Sequence, residues 1–100
     1  MKAWFLLLLC APALAQDPNA GRSLAASCAN CHGTDGRPRG GTMAPLAGMQ
    51  AERLLALLAA YRSGARPGTV MPQIVKGYSE EQLRLVASYF GSLPVAQARP

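Results

Sequence analysis

This 100-residue chain is short of histidine, acid and aromatic rings: it has one histidine, five acidic side chains and six aromatics. Each shortage excludes something. With His32 alone, a zinc site built on the nearby cysteines would lack ligands. No segment has the pattern of a β-strand. The nearest candidate, Val70 to Val75, is interrupted by Pro72. There are no internal repeats and no low-complexity run. No apolar stretch is long enough to cross a bilayer as a helix. Beyond residue 15 the only aromatics are Tyr61, Tyr78, Tyr89 and Phe90, too few to fill the core of a small domain unaided.

The apolar residues that are present concentrate first at the N-terminus. Met1-Lys2 is followed by a run from Ala3 to Ala11 centred on Leu6–Leu9, and then by the small-residue pattern Ala13-Leu14-Ala15. This is the pattern of a secretory signal peptide over residues 1–15, with Gln16 opening the mature chain and the periplasm as its destination. The length of the run disfavours an uncleaved anchor. Cys10 lies inside it, preceded by Leu9 where a lipoprotein acceptor would have a small residue, and is read as incidental. Residues 16–100 then form a single domain with a core at about 20–93, holding only Cys28 and Cys31. They carry nine cations and five anions. A basic surface steers acidic protein partners. The arginines are scattered rather than stacked on one helix face, which argues against nucleic acid.

Three helices are predicted. Gly21, Leu24, Ala25 and Cys28 share one face of a helix from Ala20 to Cys28, with Asn19 placed to cap it. Ala51 to Ser63 carries a broad stripe of Leu54, Leu55, Leu57, Leu58 and Tyr61, with Glu52 in its first turn and Gly64 as its stop. Ser79 and Gln82 make a capping-box pattern before Leu83, Val86, Phe90 and Leu93, and Pro94 ends that helix. Between them lie two long loops, Gly33 to Gln50 and Gly64 to Tyr78. Loops of that length need something to wrap.

Cys28-Ala29-Asn30-Cys31-His32 supplies it. This is the C-x-x-C-H haem-attachment signature. Thiols three positions apart on a helical turn can each add to one vinyl group of a porphyrin edge, and the next histidine is held where its imidazole reaches the iron. A thioredoxin-like pair would need a βαβ setting. A disulfide between these cysteines would close a very short loop and add little constraint. One haem c, covalently attached, is therefore expected, with His32 as an axial ligand. No second histidine exists, so a methionine is the natural sixth ligand, and it raises the potential relative to two histidines. Met43 and Met49 lie close to His32 in sequence. Met71 lies across a helix, in the second loop beside Pro72, and is preferred, with Met43 the fallback. Ordinary core packing is the competing role for Met71.

Gly21-Arg22, Cys28 to Gly33, Pro45-Leu46-Ala47-Gly48, the Met71 loop and the closing helix together resemble class I c-type cytochromes. The resemblance covers about residues 20–93. It implies a small all-α fold, three main helices and two long loops around one haem, that transfers single electrons and is not itself an enzyme. It also implies a crossing of the first and last helices at Gly21 and Tyr89 or Phe90, and a Pro45 carbonyl that orients the ligand histidine. More narrowly, Leu46 to Met49, Tyr61 to Gly64, and Met71 with Ile74 to Ser79 are similar to the cytochrome subunits of flavocytochrome c sulfide dehydrogenases. That resemblance implies a flavoprotein partner subunit as electron donor. A free shuttle serving a terminal oxidase or another dehydrogenase is the alternative, and a haem sensor or ligand-binding protein is the third.

Overall fold

The computed structural model describes residues 19–95. The predicted signal peptide, including Cys10, lies outside them. Helical segments run in the order α1 (Ala20–Ala25), a 3-10 turn (Ala26–Cys28), α2 (Ala29–His32), a second 3-10 turn (Thr34–Gly36), α3 (Ala51–Ser63), α4 (Met71–Val75) and α5 (Glu80–Ser92). There is no strand among the described residues.

The first helical run goes further than Cys28. It tightens into a 3-10 turn and continues to His32, so the whole attachment signature lies on one rod. Gly33 stops it at φ 81°, and a Cβ there would lie 2.3 Å from the Arg37 carbonyl oxygen. Asn19 sits at the start of α1 but its side chain makes no capping bond. Its backbone is itself helical, and its carbonyl accepts from Ser23 N.

The second predicted loop is corrected by α4. Pro72 breaks a strand, but near the start of a helix its missing N–H costs nothing, because that donor has no intrahelical partner anyway. At α5 the expected capping box is complete: Gln82 N donates to Ser79 Oγ, and Ser79 N donates to Gln82 Oε1.

The core forms where α1 and α3 pack on α5. Ala25, Leu54, Leu58, Leu83, Val86, Ala87 and Phe90 are buried there, joined by Val75 of α4 and by Leu46 from the first loop. Leu46 lies where no periodicity could mark it. The loop backbone seats it: Leu46 N and Ala47 N both donate to the Gly36 carbonyl. Leu55, Tyr61 and Met71 are half-buried against the same cluster.

The α1–α5 crossing is as close as backbones allow. A Cβ on Gly21 would stand 2.6 Å from the Leu85 carbonyl oxygen and 3.3 Å from Tyr89 Cβ. Any side chain at position 21 forces the helices apart, and the gain in helix propensity over glycine, about 1 kcal/mol, does not compensate. Gly21→Val is expected to lower the unfolding free energy by about 2 kcal/mol, read from the denaturant midpoint of the holoprotein.

Candidate functional site

Three elements converge on the attachment signature. Cys28 and Cys31 are three apart on the first rod. Cys28 is half-buried and Cys31 exposed, and neither is in a disulfide. Burial pushes the Cys28 thiol up in pKa, against the lowering effect of its hydrogen bond with Ser27. Cys28 lines a small apolar hollow together with Leu58, Met71, Ile74, Val75, Tyr78, Leu83 and Val86. Met71 thus reaches the neighbourhood of the signature from across α3.

His32 is half-buried at the end of α2, and its Nδ1 lies 2.8 Å from the Ala44 carbonyl oxygen. A carbonyl only accepts, so Nδ1 carries the hydrogen and Nε2 keeps its lone pair for a metal. The expected acceptor, Pro45, is corrected by one residue. A proline restricts the residue before it to extended backbone, so Pro45 orients the carbonyl of Ala44. Met43 adjoins Ala44 and is 38% exposed. Met49 packs against the core cluster.

Two arrangements went unnoticed in the sequence. Tyr78 Oη lies 2.5 Å from Ser27 Oγ, which ties the chain beyond α4 to the residue before Cys28. Arg62 of α3 donates to the carbonyls of Val75 and Tyr78. The stretch from Ile74 to Ser79 supplies these carbonyls, the tyrosine hydroxyl and the cap of α5.

The turn after His32 is also pinned. Asp35 sits at φ 54°, a left-handed conformation that aspartate tolerates better than most residues, and its Oδ1 accepts from Tyr89 Oη at 2.7 Å. Tyr89 also stands edge-on to buried Phe90, with ring centroids 5.5 Å apart.

The residues present fit a covalently held haem: two free thiols on one helical face, a histidine with Nδ1 engaged and Nε2 open, and an apolar hollow reaching from Cys28 to Met71. Among the described residues no group of three or more His, Cys, Asp or Glu is placed to hold a metal ion.

The family model for cytochrome c matches residues 19–94, and the chain belongs to that family. It carries one covalently attached haem c and serves electron transfer. It is 40% identical over 73 residues to the cytochrome subunit of sulfide dehydrogenase from Chlorobaculum tepidum, covering 73% of this chain and 66% of that protein. It is 38% identical over 69 residues to the thiosulfate dehydrogenase electron acceptor of Stutzerimonas stutzeri, covering 66% and 32%. Cytochrome c-554(548) of Halomonas halodenitrificans is 35% identical over 81 residues, covering 78% and 98%. The chain thus spans just under two thirds of the first of these relatives and about a third of the second. Among the described residues no helix is long and apolar enough to cross a membrane.

The Tyr89–Asp35 bond has a pH signature. That hydrogen bond first, then desolvation, raises the Tyr89 pKa above the ordinary 10.0. The folded state therefore holds this proton more tightly than the unfolded chain. Its contribution is complete below the ordinary tyrosine value and is lost as pH rises through the raised one. Denaturant midpoints are expected to fall more steeply in wild type than in Tyr89→Phe between about pH 9 and about pH 11.

Proposed function

We propose that the chain is an exported monohaem cytochrome that accepts single electrons from a sulfide-oxidising flavoprotein subunit. Its haem is bonded through thioethers to Cys28 and Cys31, with His32 and Met71 as the axial ligands. The observation that carries the ligand set is the position of Met71 beside Cys28 in one apolar hollow. The engaged Nδ1 of His32 supports it from the other ligand, and the exposure of Met43 disfavours the fallback. The bound haem supplies a one-electron iron couple, and methionine paired with histidine keeps its potential above that of a bis-histidine site.

The protein's own part is positional. Ala44 holds the imidazole in one tautomer, and the leucines and valines of the hollow exclude water beside Met71. The donor is argued from the similarity to a sulfide dehydrogenase cytochrome subunit, and export from the signal-peptide pattern of residues 1–15. A second reading, a free electron shuttle, is favoured by the match to nearly the whole length of cytochrome c-554(548).

Met71→Ala is expected to lower the midpoint potential and to admit exogenous imidazole or carbon monoxide to the iron. An unchanged spectrum and potential would remove Met71 from the ligand set. For the donor, purification from the native source should bring down a flavin-containing polypeptide with the cytochrome. Recovery as a monomer with no such partner favours the shuttle.

A further inference from the structure

Met71 is the first residue of a helix only five residues long. A helix of that length does not persist in water by its own hydrogen bonds, so α4 is held in shape from outside. Two consecutive residues of α3 do this, one at each end. At the start of α4, a Cβ on Gly68 would lie 3.2 Å from Tyr61 Cε1 and 3.2 Å from Pro72 Cδ, so the incoming backbone runs between the two rings. Arg66 closes that side, donating from Nε to Tyr61 Oη at 3.0 Å with its guanidinium 5.4 Å from the ring centroid. At the far end, half-buried Arg62 donates through Nη2 to the Val75 carbonyl at 3.0 Å and to the Tyr78 carbonyl. The Val75 carbonyl also accepts from Tyr78 N at 3.2 Å, so the guanidinium braces the turn that closes α4 from both of its carbonyls. Arg62 forms no ion pair among the described residues. Its charge, always present, is satisfied through backbone carbonyls. Tyr78 in turn reaches Ser27, next to Cys28.

We infer that Arg62 is a positioning residue for the axial methionine: its guanidinium clamps the C-terminal end of α4 and thereby keeps the Met71 thioether on the iron. The inference rests on the assignment of Met71 as a ligand, and the test separates the two. Holoprotein with Arg62→Gln, Arg62→Lys or Met71→Ala is titrated with imidazole in the ferric state, and midpoint potentials are measured. Arg62→Gln is expected to bind imidazole about tenfold more tightly than wild type, the equivalent of one hydrogen bond from a charged group, and to have a lower potential. Arg62→Lys, which keeps the charge but not the fork, falls between. A wild-type imidazole affinity and potential in Arg62→Gln overturns the inference. Should Arg62→Gln not accumulate as holoprotein, Arg62→Lys decides by the same two readings, wild-type values again overturning it. If Met71→Ala matches wild type, the ligand assignment falls and the inference with it. If Met71→Ala opens the iron and the Arg62 variants do not, the clamp alone is wrong.

Discussion

The contact of Gly21 with the Leu85 carbonyl is the constraint on which the other placements depend. With a hydrogen in place of a side chain, the first rod lies directly on the backbone of α5. That approach buries Ala25 and fixes the line along which Cys28, Cys31 and His32 are presented. The opposite part of α5 holds Leu83 and Val86 against α3, whose Leu58 faces the same hollow as Cys28. From the end of α3 the chain turns back so that Met71 meets that hollow. A change in the spacing of the crossing would therefore be felt at both proposed iron ligands, although neither touches Gly21.

The helices were legible because their signals are local. Periodic leucines mark α3, and the capping box, with the acidic pair Glu80 and Glu81 behind it, marks α5. The signature Cys28 to His32 was legible because its chemistry requires one fixed spacing. What could not be read depends on residues distant in sequence. The short helix at Met71 has too few residues for a period, and Pro72 pointed away from it until its position near the helix start was known. Leu46 is buried by a hydrogen-bonded return of the loop to Gly36, which leaves no pattern in sequence. The acceptor for His32 was placed one residue late, because the proline is conspicuous and the carbonyl it orients belongs to its neighbour. Arg62 is one of several scattered arginines in the sequence, and its bonds are to the carbonyls of Val75 and Tyr78, 13 and 16 residues away.

The two sides of the site are thus held by different means. On the histidine side the restraint is a single carbonyl made rigid by a proline, with the Asp35 turn fastened to Tyr89 close behind. On the methionine side it is a set of contacts from Tyr61, Arg62 and Tyr78, spread over a stretch with little regular structure of its own. Burial differs in the same sense: Val75 is the one buried residue of α4, whereas α5 buries four.

The ends of that stretch have a further consequence. Gly64 terminates α3 in a left-handed conformation at φ 84°, and Ser79 starts α5 with both bonds of its box intact. The intervening residues are bracketed by a firm stop and a firm start, so α3 ends at its own glycine and α5 begins on its own cap. Val75 is the one residue of positions 65–78 that is buried, so this stretch is joined to the rest of the domain through that side chain and through the bonds made by Arg62, Arg66 and Tyr78. The two long helices are thus finished at their own ends, and their junction with the methionine side rests on side chains rather than on continuous helix.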